Sequence, residues 1–430
     1  MATIYYDLSE LFLSAGSKFK YYGIARTVLE VGYELANASA DVRFVIFSPA
    51  HDRFFEITPR IGAASANGVL DLNLPVEAKP VRLRYSHPNA HGLRDTLQPL
   101  MRRIARKVSL RRWRRSVPEG RTRDVDLEGQ ILVSLGRPKM MSDYLVAMDE
   151  AGVRTRFFPL LHDMIPLHEY AHPRQSMFAR NFAHDNRIVV QHAEKLLTNS
   201  VFTKDEIEQF STAGRMCSLP PVLSVPLAQE MRKSDEPINL DLPETPYLLG
   251  VGMMTGRKNL ECLVKAMHHL DETGRPVPDL ILAGAKRKRT LEYVNRPEYA
   301  SIRDKIRFVL DPNQAELAKI YENALALVIP SCMEGWGLPL GEALWLGTPG
   351  IASDIPALRE VGGDLAEYFD PADPRSLADI IDQLSSNPNN YEILKAKIAQ
   401  SRTDLRTWQH VAQDILVAVS SSESSDLEQS

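Results

Sequence analysis

The residues best suited to chemistry in this sequence are two carboxylates in the segment 330–350, PSCMEGWGLPLGEALWLGTPG. Glu334 and Glu342 have seven residues between them, around a turn that contains Gly335 and Gly337. A strand followed by a glycine turn and a helix commonly binds anions, because free N–H groups and the helix dipole face the ligand. Two carboxylates beside such a site would repel a phosphate. We therefore expect them to bind other groups, such as sugar hydroxyls.

Two cations could supply the positive charge that a phosphate needs. Arg257 and Lys258 follow a predicted strand and Gly252, where a predicted helix begins. They could neutralise a diphosphate and stabilise a leaving nucleoside diphosphate. The alternative, a solvated pair of cations, is disfavoured because the helix dipole repels positive charge at that end. Glu342 lies in an otherwise apolar helix, which favours a carboxylate that accepts hydrogen bonds from a ribose diol.

A histidine and a glycine in the first half of the chain are weaker candidates. His162 directly follows the predicted strand 156–161, and open α/β sheets bind ligands beyond the carboxyl ends of their strands. A structural histidine is an equal alternative. Gly23 precedes a predicted helix at 25–37, where it could allow a ligand to approach the backbone or simply form the turn.

The elements that position these residues alternate between strand and helix in two stretches, which predicts an α/β fold of two Rossmann-like halves with a cleft between them. In the first stretch we predict strands at 3–6, 42–48, 130–135, 156–161, 187–193 and 195–198, and helices at 25–37, from 97 onward, at 176–184 and at 201–210. In the second we predict strands at 247–251, 279–283, 324–329 and 350–353, and helices at 259–270, 316–324, 338–346, 356–361, 375–385 and 391–416.

The expected domains follow from this alternation and from a proline-rich acidic segment. They are a first domain at 1–230, a linker at 231–246, a second domain at 247–404, a C-terminal helix at 405–419 that packs back on the first domain, and a disordered tail at 420–430. Segment 60–95 is rich in proline, asparagine and glycine and has no clear periodicity. The role of 50–125 stays open.

A basic amphipathic helix is predicted from Leu97. Apolar residues recur at helical spacing, namely Leu97, Leu100, Met101, Ile104, Val108 and Trp113. Arginine and lysine residues alternate with them through 102–115. This pattern is typical of a helix on a membrane surface, and equally of a solvated helix whose apolar stripe packs on its own domain. Nucleic-acid binding is disfavoured because no aromatic stacking platform accompanies the arginines.

Composition excludes several classes of function. The chain has 430 residues, 44% hydrophobic and 25% charged, with a formal net charge of -4, which gives no general attraction to nucleic acid. Its three cysteines have no metal or disulfide spacing, and no signal pattern or membrane-spanning apolar run is present, so we expect a cytoplasmic protein. No Asp-x-Asp triplet sits at the end of a predicted strand, and no nucleophile elbow or phosphate loop occurs, which disfavours a metal requirement, a hydrolase and an NTPase.

These motifs together resemble the GT-B fold glycosyltransferases of the large retaining class often called family 4. The Glu-x7-Glu motif carries the strongest match, VGMMTGRKNLECLVKA is similar to the family's diphosphate-binding segment, and HDMIPL, TNSVFTKDEI and YYGIARTVLEV resemble landmarks of its first domain. The resemblance is dense from 248 to 385. In place of the basic residue that many members carry after the glycine, this chain has Met253-Met254.

The resemblance implies a hexosyltransferase that moves a sugar from a nucleotide donor with retention of configuration and without a metal. It assigns the diphosphate to Arg257 and Lys258, sugar hydroxyls to Glu334, the ribose to Glu342, and the sugar near the reacting centre to His162. Backbone N–H groups of the turn would also bind the donor, and an N-terminal loop would line the acceptor side. The turn comprises Gly335, Trp336, Gly337 and Leu338; the loop comprises Gly23, Ile24 and Arg26.

Similarity to bacterial mannosyltransferases makes GDP-mannose the expected donor. The acceptor would be a glycan or a lipid-linked oligosaccharide in cell-surface polysaccharide synthesis. The helix at 102–115 would then contact the cytoplasmic face of the membrane. The alternatives are a nucleotide-sugar epimerase of the same fold and a non-catalytic sugar-nucleotide-binding scaffold.

Overall fold

The chain divides into two compact units that alternate along the sequence. Met1–Pro226 and Trp408–Ser430 form the first unit, and Leu227–Thr407 forms the second. The computed structural model describes residues 2–14, 23–75, 93–168, 177–252, 256–284 and 288–427. The boundary after Pro226 lies a few residues before the linker predicted at 231–246. The expected cleft between the two halves stays a prediction.

The first unit contains ten of the described strands. They are β1 (Ile4–Asp7), β2 (Val42–Ser48), β3 (Arg53–Ile57), β4 (Arg60–Ile61), β5 (Leu70–Asp71), β6 (Thr122–Asp124), β7 (Ile131–Ser134), β8 (Arg156–Leu161), β9 (Leu196–Thr198) and β10 (Val222–Ser224). Eight of them form one sheet in the order β10-β9-β8-β7-β1-β2-β3-β6, and β4 pairs with β5 separately. The sheet is parallel from β10 to β2 and antiparallel at β3 and β6. This is a Rossmann-like sheet with an antiparallel edge.

Six helices connect these strands. They are α1 (Ser9–Ser14), α2 (Gly23–Ala36), α3 (Leu93–Ser116), α4 (Pro138–Glu150), α5 (Met177–His192) and α6 (Val201–Thr212). Ser200 caps α6, since its hydroxyl accepts a hydrogen bond from the Thr203 backbone N–H at 2.9 Å. Aromatic side chains fill the core beside the sheet, with Tyr144 and Phe157 fully buried between α4 and β8.

The second unit is built on a six-stranded parallel sheet in the order β13-β12-β11-β14-β15-β16. Its strands are β11 (Tyr247–Val251), β12 (Asp279–Gly284), β13 (Ile306–Leu310), β14 (Ala326–Ile329), β15 (Gly350–Ser353) and β16 (Ala366–Phe369). Its helices are α7 (Leu260–Glu272), α8 (Lys288–Val294), α9 (Gln314–Asn323), α10 (Leu338–Trp345), α11 (Pro356–Gly362), α12 (Pro374–Ser386) and α13 (Pro388–Gln400). The central strands are buried and almost continuously apolar, as a parallel sheet covered on both faces requires.

The C-terminal helix α14 (Trp408–Leu427) belongs to the first unit, where it packs against α2. The Trp408 ring is fully buried. The helix continues to Leu427, through most of the segment that was predicted to be a disordered tail from 420. Residues 428–430 lie outside the described part of the chain.

Most predicted elements are confirmed, and four strands have the predicted bounds: β2, β8, β11 and β15. Two predictions are wrong. The strand at 187–193 is the second half of α5, and the single helix at 391–416 is two helices, α13 and α14, separated by a short turn. The described elements that were not predicted are strands β3, β4, β5, β6, β10, β13 and β16 and helices α1, α4 and α8.

Candidate functional site

The site in the second unit is assembled by two neighbouring strands at the centre of its sheet. β11 pairs in parallel with β14, with Leu248 opposite Ala326. The loops that follow these strands therefore leave the same edge side by side, at the carboxyl ends where open α/β sheets bind ligands. One loop carries Arg257 and Lys258, and the other carries Glu334.

Arg257, Lys258 and Glu334 form one ion-paired cluster. The Arg257 Nη1 donates to Glu334 Oε2 at 2.7 Å, and the Lys258 Nζ donates to the other carboxylate oxygen. Arg257 Nη1 also donates to the Met333 carbonyl at 2.8 Å. The Glu334 side chain is 8% exposed, against 33% for Arg257 and 22% for Lys258. The cations therefore lie between the buried carboxylate and solvent.

The charge of this cluster is set by its cations. Burial alone would raise the pKa of Glu334, but Lys258 and Arg257 lower that pKa to about 2. Glu334 is thus ionised throughout the physiological range. Two cations and one carboxylate leave a formal charge of +1 (2 − 1), one less than the two adjacent cations suggested from sequence.

The cations lie just before α7, close to the start predicted for this helix at residue 259. They lie in a short 3-10 turn, Gly256–Lys258, and α7 starts at Leu260 after Asn259. Asn259 has a left-handed backbone, with φ of 52°, and its side-chain amide donates to the Pro371 carbonyl at 2.9 Å. Residues 253–255, which include the Met253-Met254 departure from the family pattern, lie outside the described residues.

The turn after Glu334 requires glycine at one position. Gly337 has φ of 125°, and a Cβ there would lie 2.5 Å from the Leu358 Cδ2 atom. This turn leads directly into α10, which begins at Leu338 with Pro339 in its first turn, as predicted. Trp336 is 4% exposed, so its ring packs in the protein interior. Its Nε1–H has no hydrogen-bond partner among the described residues.

Glu342 is buried within α10 and held by a tyrosine. Its exposed fraction is 4%, and its Oε2 accepts a hydrogen bond from the Tyr321 hydroxyl at 2.7 Å. Tyr321 is itself fully buried at the end of α9, and the Thr348 hydroxyl donates to its carbonyl at 2.7 Å. Nothing in the sequence pattern indicated Tyr321, because the pair depends on how α9 and α10 pack.

His162 lies in the first unit, directly after β8. Its Nε2 donates to the Leu135 carbonyl at 2.7 Å, because a carbonyl oxygen can only accept. Burial lowers the pKa of His162, despite opposing contributions from Leu135, Asp163 and Glu10. The imidazole is therefore neutral near pH 7 and presents Nδ1 as a hydrogen-bond acceptor.

The three N-terminal loop residues that were expected on the acceptor side differ in their exposure. Gly23 is exposed at the start of α2, with φ of 55° and open space where a Cβ would lie. Ile24 is half-buried beside it. Arg26 is 4% exposed, pairs with Glu30 at 4.0 Å and lies over the Trp408 ring at 6.0 Å. Arg26 is therefore buried within the first unit, and its role on the acceptor side stays a prediction.

Helix α3 presents two different faces. Trp113 is buried, and its ring centroid lies 5.5 Å from that of Phe12 and 5.1 Å from that of Phe55. It therefore packs on its own domain and is not part of the exposed apolar stripe. Val108 is half-buried. Four other apolar side chains of the stripe are 46–57% exposed. They are Leu97, Leu100, Met101 and Ile104. Their spacing places all four on one side of the helix.

Comparison with known proteins identifies the second unit. A family model described as "Glycosyl transferases group 1" matches residues 232–401. This segment is a group 1 glycosyltransferase domain. The Arg257–Lys258–Glu334 cluster and the Tyr321–Glu342 pair both lie within this group 1 domain.

Curated relatives align over part of their length. The chain is 30% identical to the O-antigen chain mannosyltransferase RfbU of Salmonella typhimurium over 151 residues, which is 34% of this chain and 42% of the relative. It is 28% identical to O-antigen chain mannosyltransferase B of Escherichia coli over 233 residues, 51% of this chain and 54% of the relative. The matches thus span about half of these relatives.

A solved structure extends the likeness to the whole fold. Sucrose-phosphate synthase from Thermosynechococcus elongatus matches with a TM-score of 0.64 and 16% identity, over 99% of this chain and 100% of that one. The chain therefore has the GT-B fold class, with two Rossmann-like units. Within the described residues, no group of three or more His, Cys, Asp or Glu side chains could hold a metal ion.

Proposed function

We propose that this protein is a retaining, metal-independent glycosyltransferase that transfers mannose from GDP-mannose. Its acceptor is a glycan or a lipid-linked oligosaccharide in the synthesis of a cell-surface polysaccharide. The observation that carries the proposal is the cluster of Arg257, Lys258 and Glu334 at the carboxyl edge of the group 1 domain's sheet. The names of the two curated relatives, both O-antigen chain mannosyltransferases, support mannose as the sugar.

Donor binding exchanges one set of ion pairs for another. The diphosphate takes the guanidinium and ammonium groups of Arg257 and Lys258, which now donate to Glu334. Glu334 is then left to accept hydrogen bonds from the sugar hydroxyls, because an ionised carboxylate can only accept. Glu342 accepts hydrogen bonds from the ribose hydroxyls while it keeps the hydrogen bond from the Tyr321 hydroxyl.

Transfer requires no protein nucleophile. The bond between the anomeric carbon and the phosphate oxygen breaks while the acceptor oxygen attacks from the same face. The acceptor proton passes to the departing phosphate, whose growing negative charge Arg257 and Lys258 stabilise. His162 accepts a hydrogen bond from the sugar through Nδ1, because its Nε2–H is taken by Leu135.

A thermal-shift panel tests the donor. GDP-mannose and the corresponding UDP, dTDP and ADP sugars are compared, since a ligand that binds only the native state raises apparent stability. We expect a shift with GDP-mannose, and a shift with UDP sugars alone would overturn this donor. Product analysis separates the alternatives: an epimerase converts donor without acceptor, and a scaffold binds donor without turnover.

We propose that helix α3 binds the anionic cytoplasmic leaflet, where a lipid-linked acceptor would lie. Its four exposed apolar side chains have exposed basic neighbours, namely Arg103, Lys107, Arg111 and Arg114. Each basic residue near an anionic leaflet contributes about 1 kcal/mol. No helix among the described residues is both long and apolar enough to span a membrane.

Vesicle co-sedimentation tests this contact. We expect binding to phosphatidylglycerol vesicles and a loss of roughly a hundredfold or more when the four basic residues become Gln. Phosphatidylcholine vesicles serve as the uncharged control. Unchanged sedimentation of the quadruple variant would remove the membrane from the proposal.

A further inference from the structure

An ion pair in the first unit joins two residues that the proposed mechanism does not use. Glu10, at the start of α1, lies against Arg137, at the N-cap of α4. The Arg137 Nε donates to Glu10 Oε1 at 2.9 Å, and the Arg137 backbone N–H donates to Oε2 at 3.1 Å. One carboxylate thus holds both the backbone and the side chain of the same arginine.

This arrangement fixes the direction of the guanidinium. The Glu10 side chain is 4% exposed, whereas that of Arg137 is 50% exposed. Only one of the five guanidinium N–H groups is used, and the Nη1 and Nη2 groups have no partner among the described residues. The pair therefore presents a pre-oriented fork of donors to solvent, which is the geometry that binds a phosphate or carboxylate with two hydrogen bonds.

The fork lies where the first unit would bind a ligand. Arg137 follows Gly136 at the carboxyl end of β7, which is central in the sheet between β1 and β8. The Leu135 carbonyl, two residues earlier, accepts the hydrogen bond of His162, and the charge of Glu10 partly opposes the lowering of that histidine's pKa by burial. Arg137 therefore belongs to the same edge of the sheet as His162. The N-terminal dipole of α4, a helix of 13 residues, adds positive potential.

We propose that Arg137 binds a phosphate of the acceptor, so that the preferred acceptor is a glycosyl phosphate or diphosphate rather than a neutral glycan. Glu10 is the positioning residue that holds the fork outward. This inference rests on the proposed transferase function. The same donors could also bind the diphosphate of the nucleotide, which is the other source of a phosphate, and the experiment separates the two.

The test uses two acceptor analogues that differ by one anionic group, octyl α-mannoside and octyl α-mannosyl phosphate. Their binding is measured by calorimetry with GDP at saturation, so that nucleotide phosphates already occupy their own site. Transfer from GDP-mannose to each analogue is measured in parallel. We expect the phosphate analogue to bind about tenfold more tightly and to show a correspondingly higher kcat/KM.

The variant Arg137→Ala should bring the binding ratio of the two analogues close to one without changing the affinity for GDP. Arg137→Lys keeps the charge without the fork and should retain part of the preference. Arg53→Ala is the matched control, since Arg53 is 54% exposed, pairs with Asp124 at 3.0 Å and lies on β3, two strands away from β1. It should leave the ratio unchanged.

Three outcomes would overturn the inference. One is no preference for the phosphate analogue in the wild-type protein, another is a preference that survives Arg137→Ala, and the third is a weakened affinity for GDP in that variant, which would assign Arg137 to the donor. Failure of the proposed function is distinct: the phosphate analogue would bind in an Arg137-dependent way, but no transfer to either analogue would occur.

Discussion

At the scale of single residues, the two carboxylates of the Glu-x7-Glu motif are buried by different means. Glu334 is compensated by two cations, and Glu342 by a tyrosine hydroxyl inside the domain. Burying a carboxylate is costly unless it is paired and hydrogen-bonded. The two glutamates therefore respond differently to a ligand: Glu334 must exchange partners, whereas Glu342 can keep Tyr321.

The ion pairs of Glu334 predict a pH dependence of stability. Because its folded pKa is lowered to about 2, the pairs stabilise the protein above the pKa of an unfolded glutamate, and that stability is lost as the pH falls toward 2. We expect Glu334→Gln to lower the free energy of unfolding by roughly 3 kcal/mol at pH 7. The difference from wild type should shrink between pH 5 and pH 2 in urea unfolding experiments. A constant difference would contradict this assignment.

The role of Tyr321 predicts a kinetic effect. Tyr321→Phe removes the hydroxyl that holds Glu342, so the KM for the donor should rise several-fold while kcat changes less. Tyr247→Phe is the matched control, because that buried hydroxyl also makes a 2.7 Å hydrogen bond, to the Ile320 carbonyl. Equal effects of the two substitutions on KM would show that Tyr321 is only structural.

At the scale of elements, the turn between β14 and α10 sets the position of Glu334 and the start of the helix. The chain reverses there within a few residues, and Gly337 allows the backbone to do so against the side chain of Leu358. A glycine at φ of 125° adopts a conformation that other residues rarely reach.

Gly337→Ala should therefore impair both stability and donor binding. The new methyl group would meet Leu358 and the backbone would be strained, which together cost on the order of 1–3 kcal/mol. Gly347→Ala is the control, because Gly347 also has a positive φ, of 80°, but open space around its Cβ position. If both variants lose the same donor affinity and melting temperature, contact with Leu358 is not the cause.

The sequence predicted elements well where local pattern and tertiary packing agree. Strand β15, for example, is a short apolar segment between a proline and an aspartate, and it is buried as expected. The run Ile188-Val189-Val190 predicted a strand because β-branched residues favour strands, but it lies in α5, whose packing on the core overrides that preference.

Contacts between distant residues could not be predicted. The structure brings Arg257, Lys258 and Glu334 together, whereas their roles in binding a donor stay a prediction. The cations form ion pairs with Glu334 because β11 pairs with β14, and this strand pairing could not be predicted from local pattern. The Glu10–Arg137 pair joins residues 127 apart in the sequence. The only sequence signal for it is that Arg137 follows the predicted strand at 130–135.

At the scale of the whole molecule, the first unit is completed by the end of the chain. Helix α14 packs on α2, and the Trp408 ring lies fully buried with the Arg26 guanidinium over it. The last helix is thus part of the core of a unit whose other elements all precede residue 227.

Trp408→Ala should therefore destabilise the first unit by about 3–5 kcal/mol through the cavity that it leaves. Val417→Ala, on the same helix but 66% exposed, should change stability by less than about 0.5 kcal/mol. Chemical denaturation followed by circular dichroism measures both. The GDP binding proposed for the second unit should persist in the Trp408 variant when it is measured by calorimetry at low temperature. Loss of GDP binding in that variant would contradict the division into units.

The return of the chain to its first unit also orders events during synthesis. When residue 226 leaves the ribosome, the first unit has its whole sheet but lacks Trp408, so the surface of α2 that this ring covers is still open. The group 1 domain has all of its sequence before α14 is made. Domains fold as units while the chain is produced. The group 1 domain can therefore reach its final structure before the first unit, although it is translated second.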